Sequence, residues 1–163
     1  MFDPLAMCRV LNGERVDYVV LGGFGAIVHG SPLTTRDLDL IPDRETENLE
    51  RLGHALRRLG AKIRIEGGAV ETRIDGPFLA NMPHMLNLVT DFGDLDITFT
   101  PAGPRAGFGE WREHAGEQEI GDGLRVWVAS LDDIIASKRA ANRPKDQMAL
   151  PYLESLREQI DKS

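Results

Sequence analysis

The spacing of apolar residues predicts that strands and helices alternate along this chain. The clearest helix lies in DRETENLERLGHALRRLG, where leucines recur at helical spacing and Gly60 ends the element. These leucines are Leu49, Leu52, Leu56 and Leu59. β-branched or alternating runs predict strands in DYVVL, DLDLI and AKIRIE, and hairpins in MLNLVTDFGDLDITFT and EQEIGDGLRVWVAS. The segment GGFGAIVHG follows the first strand directly and predicts a glycine turn leading into a short helix.

Capping residues and prolines indicate further helices. Asp3-Pro4 is typical of an N-cap followed by proline in the first turn, so we expect a short helix at the start of the chain. Ser130 precedes an acidic first turn in SLDDIIASKRAAN and predicts a helix, which Pro144 separates from one or two final helices. A helix is also expected in GFGEWREHAG, whereas residues 67–83 predict a loop with one short turn.

These elements predict an α+β fold in which a small mixed β-sheet is flanked by helices. A length of 163 residues favours one domain, residues 1–163, with C-terminal helices from about residue 131. No apolar run is long enough to span a bilayer, and the single cysteine, Cys8, allows no internal disulfide. We therefore expect a cytoplasmic protein without membrane contact. The formal net charge of −7 argues against general attraction to nucleic acid.

Two of the predicted strands carry aspartates opposite an apolar face. In DLDLI, side chains alternate, so Asp37 and Asp39 share one face while the intervening leucines point into a core. In GDLDITFT, Asp94, Asp96 and Thr98 share one face in the same way. If the two strands are neighbours in one sheet, three or four carboxylates converge.

Such a cluster requires a compensating cation, because adjacent carboxylates repel each other. Mg²⁺ is the natural choice, since it prefers oxygen ligands and is commonly held by a few carboxylates together with substrate phosphates. Two ions could bridge the attacking and leaving oxygens of a phosphoryl transfer, and Mn²⁺ is an alternative. The competing interpretation is that these aspartates simply lie on the solvent face of half-buried strands. Aspartate is depleted in strands, so the repetition of the pattern favours a metal site.

Glycines lie where a phosphate could approach the backbone. In VVLGGFGAIVHG they come directly after a strand and before a predicted helix, as in a triphosphate-binding loop. A dinucleotide-binding fingerprint is not supported, because Ala26-Ile27-Val28 follows Gly23-Phe24-Gly25 and the last glycine or alanine is missing. No Gly-Lys-Ser/Thr follows, which also excludes a Walker A loop.

The succession of a strand, Gly-Gly, a short helix, DLDL and then LDI resembles the DNA polymerase beta-like nucleotidyltransferase superfamily. The resemblance implies that Gly22 and Gly23 bind the triphosphate. It also implies that Asp37, Asp39 and Asp96 are catalytic and hold the metal ions. Members use Mg²⁺ and transfer a nucleoside monophosphate (NMP) from a nucleoside triphosphate (NTP) to an acceptor. Many members have a serine at the position of Gly23.

Asp94 is the less favoured third acid, because it lies closer to the turn of its hairpin. SLDDIIASKRAANRPKD is similar to the motif of the AbiEii/MenT-type toxin nucleotidyltransferases. On that match Lys138 contacts nucleotide phosphates, and Asp146 is a further active-site acid that could act as a base. Thr35 either hydrogen-bonds a phosphate or shapes its loop, and His29 is expected to stabilise the glycine segment.

The resemblance implies a nucleotidyltransferase whose acceptor is the 3′ end of tRNA, as in a toxin that an antitoxin protein inhibits. A protein hydroxyl or a small molecule is the alternative acceptor. The competing hypothesis from another class is a catalytically inactive protein of the same fold that binds a nucleotide or a partner. The three clustered acids argue against that hypothesis.

Overall fold

A computed structural model describes all 163 residues, which form seven helices and eight strands. The helices are α1 (Pro4–Gly13), α2 (Gly22–Val28), α3 (Thr46–Arg58), α4 (Gly76–Ala80), α5 (Phe108–His114), α6 (Leu131–Ala141) and α7 (Pro144–Asp161). The strands are β1 (Tyr18–Leu21), β2 (Asp37–Pro42), β3 (Lys62–Ile65), β4 (Gly68–Val70), β5 (Met85–Thr90), β6 (Gly93–Thr98), β7 (Gly116–Gly121) and β8 (Leu124–Val128). None of the helices combines the length and the apolar character needed to cross a membrane.

All eight strands join one mixed sheet in the order β4-β3-β5-β6-β2-β1-β8-β7. The pairs β2–β6 and β1–β8 are parallel, and the other neighbours are antiparallel. The predicted α+β class with a mixed sheet and flanking helices is therefore confirmed. That residues 1–163 form a single domain stays a prediction.

The main core lies on the face of β2 and β6 that is opposite their aspartates. Leu38 and Leu40 of β2 and Leu95 of β6 are fully buried there, in one cluster with the leucines of α3. Burying a leucine side chain contributes roughly 1.5–3 kcal/mol, so the alternation of these strands determines which face the aspartates take. A second apolar cluster packs α5, α6 and α7 against the other face of the sheet, around β1.

Local sequence signals account for most element boundaries. The Asp3 carboxylate accepts a hydrogen bond from the Ala6 amide at 3.0 Å, and the Ser130 hydroxyl accepts one from the Asp133 amide at 3.0 Å. Both caps are as expected, and both predicted hairpins form. His29 Nε2 lies 2.8 Å from the Ala129 carbonyl oxygen, which ties the end of α2 to the end of β8.

The expected loop over residues 67–83 is wrong in part. Strand β4 lies there and pairs with β3, and α4 follows it, with the Asp75 carboxylate accepting a hydrogen bond from the Phe78 amide at 3.0 Å. The residues of β4 are all exposed, and α4 has only five residues. Neither element has a periodic apolar pattern, because one buries no side chains and the other is too short.

Candidate active site

Three aspartates from two parallel strands meet at one point. In the register of β2 and β6, Asp39 lies opposite Asp96 and Asp37 lies opposite Asp94. One carboxylate oxygen from each of Asp37, Asp39 and Asp96 lies within 4.8 Å of the others. Asp94 faces Arg64 instead, with its Oδ2 3.4 Å from the guanidinium Nη1. The structure therefore brings together the three acids predicted from the sequence and leaves the fourth outside.

Burial and mutual repulsion disfavour the charged form of these acids. Burial is the main reason that the pKa of Asp39 rises to about 7, and the charges of Asp37 and Asp96 add to it. Burial, with a hydrogen bond to Asp37, also raises the pKa of Asp96 to about 6, although Arg64 opposes the shift. A tight set of hard oxygen donors that repel one another fits a divalent cation such as Mg²⁺ or Mn²⁺.

Gly22 makes room for Asp39. Helix α2 begins at this residue, immediately after β1, and its φ of +69° is in the left-handed region. A Cβ atom added to Gly22 would lie 2.0 Å from Asp39 Oδ2. Glycine is therefore required at this position for the acidic cluster, apart from any approach of a phosphate to the backbone.

Thr35 fills the space beside Gly23. A Cβ atom on Gly23 would lie 2.9 Å from Thr35 Oγ1, and this hydroxyl donates a hydrogen bond to Asp37 Oδ1 at 3.1 Å. A serine at position 23 would thus collide with Thr35. The threonine hydroxyl occupies the place where a serine side chain would otherwise lie.

The corner between α6 and α7 presents positively charged side chains to the acids. Asn142 adopts a left-handed conformation with φ of 52°, and Pro144 starts α7. One helix therefore ends and the next begins between Lys138 and Lys145. Both lysines line the same cavity as the aspartates, and both favour the charged form of Asp39. Lys138 Nζ lies 3.7 Å from Asp146 Oδ1, whereas Lys145 makes no ion pair.

Asp146 stabilises the corner between α6 and α7 through a buried carboxylate. Its side chain is fully buried and accepts hydrogen bonds from Arg143 Nε at 2.7 Å and from the Arg143 amide at 3.1 Å. Burial acts to raise the pKa of Asp146, but the hydrogen bonds and charge of Arg143 outweigh it and keep the pKa below its usual value. The structure places Asp146 outside the acidic cluster and in contact with Lys138 and Arg143.

The acids and the lysines line a cavity of about 930 Å³. This volume is near the upper end of the usual range for small-molecule sites, about 300–1,000 Å³. Its mouth carries apolar side chains, since Met148 and Tyr152 of α7 are 75% and 54% exposed. The lining of the cavity therefore combines charged side chains with exposed apolar side chains.

Arg64 and Lys145 are basic residues of this cavity for which the sequence motifs gave no role. Arg64 reaches Asp96 and Asp94 from β3, and Lys145 projects from the first turn of α7. No motif surrounds Arg64, and Lys145 lies in SLDDIIASKRAANRPKD directly before Asp146, the acid to which that motif assigned a role. The one available signal was the alternation in AKIRIE, which places Arg64 on a polar face but does not identify the neighbouring strand.

Comparison with known proteins finds likeness in structure alone. No protein-family model matches the chain, and no curated protein matches it in sequence. The lincomycin-bound lincosamide antibiotic adenylyltransferase LnuA superposes with a TM-score of 0.63 at 17% identity, over 94% of this chain and 95% of that chain. ANT(2″)-Ia in complex with adenylyl-2″-tobramycin gives 0.57 at 14% identity, over 96% and 93%. The Thermotoga maritima protein TM1012, provisionally described as a nucleotidyltransferase, gives 0.52 at 16%, over 100% and 97%. The chain has the nucleotidyltransferase fold that its motifs predicted.

Proposed function

We propose that this protein transfers an NMP from an NTP to an acceptor hydroxyl, with Mg²⁺ as its cofactor. The observation that carries the proposal is the convergence of Asp37, Asp39 and Asp96 on a cavity that Lys138 and Lys145 also line. The acids can hold divalent cations, and the lysines can hold phosphates. The fold shared with adenylyltransferases supports this assignment.

In the proposed reaction the acceptor oxygen bonds to the α-phosphorus, and the bond from that phosphorus to the bridging oxygen breaks. Pyrophosphate leaves with the electron pair, and a carboxylate of the cluster takes the hydroxyl proton. Asp37, Asp39 and Asp96 would hold the metal, as two ions of Mg²⁺ or alternatively Mn²⁺. When bound, the metal neutralises phosphate charge and polarises the reacting oxygens.

The chain's own groups would orient the triphosphate. The backbone at Gly22 and Gly23 is open to the cavity, and the Thr35 hydroxyl lies beside it. Lys138 and Lys145 approach from the corner between α6 and α7, so the triphosphate would lie between this corner and the glycines. We assign Asp146 the role of holding Lys138 and Arg143 in place, because its buried carboxylate contacts both.

A small hydroxylated molecule is the acceptor that the cavity favours. Its volume and its apolar rim at Met148 and Tyr152 suit a compact ligand with an apolar part. Two of the similar structures hold lincomycin or adenylylated tobramycin. The overall charge of −7 is unfavourable for a large RNA.

Transfer to the tRNA 3′ end, with an antitoxin partner, is the second candidate function. It is supported by the similarity of SLDDIIASKRAANRPKD to the toxin motif and by the contact between Lys138 and Asp146 of that motif. Both the RNA acceptor and the antitoxin are predictions.

The test uses each α-³²P-labelled NTP with Mg²⁺ and three acceptor sources in separate reactions. These are hydroxylated small molecules including lincomycin and tobramycin, total RNA, and cell lysate protein. A labelled small product on a thin-layer plate is the expected result. Label in a tRNA-sized band would instead support the toxin hypothesis, and label in protein would indicate modification of a hydroxyl side chain. Absence of label together with absence of metal-dependent nucleotide binding would favour the inactive binding module.

Loss of either cavity lysine is expected to weaken nucleotide use. Changing Lys138→Gln or Lys145→Gln removes one positive charge from the proposed phosphate site, so the KM for NTP should rise roughly tenfold in each variant. The matched control is Lys162→Gln, an exposed lysine after the end of α7, which should leave KM unchanged. Equal KM values in all three variants would exclude this position for the triphosphate. Steady-state kinetics at saturating acceptor would make the comparison.

A further inference from the structure

Arg64 reaches across the sheet to one acid of the cluster. It lies on β3, and β5 separates that strand from β6, which carries Asp96. Its Nη2 donates a hydrogen bond to Asp96 Oδ1 at 2.6 Å, and its Nη1 donates one to the Leu88 carbonyl oxygen at 2.9 Å. The same Nη1 lies 3.4 Å from Asp94 Oδ2. The guanidinium is therefore held at both ends, so its position over β5 is well defined.

Arg64 is the cationic side chain that pairs with Asp96. Asn87 lies directly opposite Asp96 in the register of β5 and β6, but its amide makes no hydrogen bond. Arg64 supplies the hydrogen bond that Asp96 Oδ1 accepts, and Asp37 is the other side chain in hydrogen-bond contact with the Asp96 carboxylate. A guanidinium held at two points constrains the rotation of the carboxylate that it binds. Asp96 Oδ1 is thus bound by Arg64, while the carboxylate remains part of the acidic cluster.

Arg64 is also the cation that directly neutralises the two acidic strands. It forms ion pairs with Asp96 at 2.6 Å and Asp94 at 3.4 Å, whereas Lys138 and Arg143 pair with Asp146. The Asp96 side chain is 9% exposed and that of Arg64 is 30% exposed, so water screens this pair only in part. Without a positive charge here, the buried Asp96 would face the repulsion of Asp37 and Asp39 alone.

We propose that Arg64 is the positioning residue of the acidic cluster. It orients Asp96 so that one carboxylate oxygen is available to a bound cation and to the reacting groups, and its charge stabilises the cluster when no divalent cation is bound. This inference rests on the proposed function, because it assigns the cluster to metal binding. Arg64 and the metal then act on the same carboxylate, and the positive charge of each opposes the other.

The test compares Arg64→Gln and Arg64→Lys with the control Lys62→Gln. Lys62 lies on the same strand and the same face, and its ion pair with Glu71, at 3.5 Å, is outside the cavity. The measurements are the Tm in chelator and in saturating Mn²⁺, the Kd for Mn²⁺ by calorimetry, and kcat and KM for NTP. Arg64→Lys keeps the charge but loses the two-armed geometry, so it separates the two parts of the role.

For Arg64→Gln we expect a lower Tm in chelator, a smaller loss of Tm in Mn²⁺, and a Kd for Mn²⁺ that is roughly threefold tighter or more. The kcat should fall about 10- to 100-fold, the usual effect of removing a group that orients a metal ligand, with little change in KM. Arg64→Lys should recover most of the Tm in chelator but not kcat. Lys62→Gln should match the wild type in all of these.

Two results would overturn the role of Arg64. One is an unchanged kcat in Arg64→Gln, and the other is an equal loss of Tm with and without the cation, as a merely structural contact would give. If the wild-type protein itself binds no divalent cation, the proposed function fails and this inference fails with it. Wild-type Mn²⁺ binding together with either of the first two results would reject the Arg64 proposal alone.

Discussion

Replacing Asp39 with asparagine is expected to abolish NMP transfer while the protein remains folded. Asp39 is the central acid of the cluster. Its strand, β2, lies between β1, which Gly22 follows directly, and β6, which carries Asp96. Removing its charge withdraws a ligand from the proposed metal site. A metal of this kind contributes several kcal/mol of charge stabilisation to the transition state, and each 1.36 kcal/mol is a factor of ten. The rate should therefore fall at least roughly 1,000-fold in the labelled-NTP assay.

The same substitution should stabilise the metal-free protein. Thr35 donates a hydrogen bond to Asp37 and Arg64 donates one to Asp96, whereas the Asp39 carboxylate receives none and is repelled by both neighbours. Each kcal/mol of repulsion relieved should raise Tm by roughly 2–4 °C for a chain of this size. Thermal unfolding in chelator and in Mg²⁺ would show this, with the metal-induced rise of Tm lost in the variant.

The matched control is Asp43→Asn, one residue beyond the end of β2. The Asp43 carboxylate accepts a hydrogen bond from the Glu45 amide, a bond that the asparagine oxygen can also accept, and it does not line the cavity. Transfer by this variant should be within about threefold of the wild type. If Asp39→Asn retained normal transfer, the acidic cluster would not be the catalytic centre and the proposed mechanism would be wrong.

Gly22→Ala is expected to damage both stability and activity. The added Cβ would lie 2.0 Å from Asp39 Oδ2 and 2.7 Å from its Cγ, so the Asp39 side chain must move. Alanine at a φ of +69° costs about 1–2 kcal/mol, and overpacking costs a further 1–3 kcal/mol or so. We expect a loss of about 2–5 kcal/mol in the free energy of unfolding and at least a 100-fold loss of transfer, because a displaced Asp39 no longer faces Asp96. Urea unfolding and the transfer assay measure the two effects.

Gly123→Ala separates the two causes of this loss. Gly123 has a φ of +77°, close to that of Gly22, but no atom lies within 4 Å of an added Cβ. This variant should lose about 1–2 kcal/mol in the free energy of unfolding and no activity. In an Asp39→Ala background, Gly22→Ala should cost less than it does in the wild type, because the colliding carboxylate is gone. Additive free energies in that double-mutant cycle would show that Gly22 does not act through Asp39.

The prediction of the acidic strands succeeded because a strand has a simple period. Leu38 and Leu40 alternate with Asp37 and Asp39, so burial of the leucines leaves one face for both acids. The same holds for β6, because burial of its apolar residues determines which face the acids take, whichever strand lies beside it. The caps at Asp3 and Ser130 are equally local, since each involves an amide three residues away.

The places where prediction failed or found no role depend on contacts between distant segments. Strand β4 buries no side chain and exists because it pairs with β3, which a local pattern cannot reveal. Arg64 became part of the site only through the order β3-β5-β6, since a strand's neighbours are set by the packing of the whole sheet. The motif predicted that Asp146 is an active-site acid; the structure places its carboxylate in contact with Arg143 and Lys138, and its catalytic role stays a prediction.

The sequence by itself thus determined the α+β class, the polar face of each acidic strand and the glycines beside them, because these follow from local periodicity and backbone sterics. Only the tertiary structure decided that β2 and β6 are parallel neighbours with Asp39 opposite Asp96, that Asp94 turns to Arg64, and that the corner after α6 directs Lys145 into the cavity. These relations join residues far apart in the chain. They arise from the collective packing of two cores against one sheet, which the pattern of a single segment does not specify.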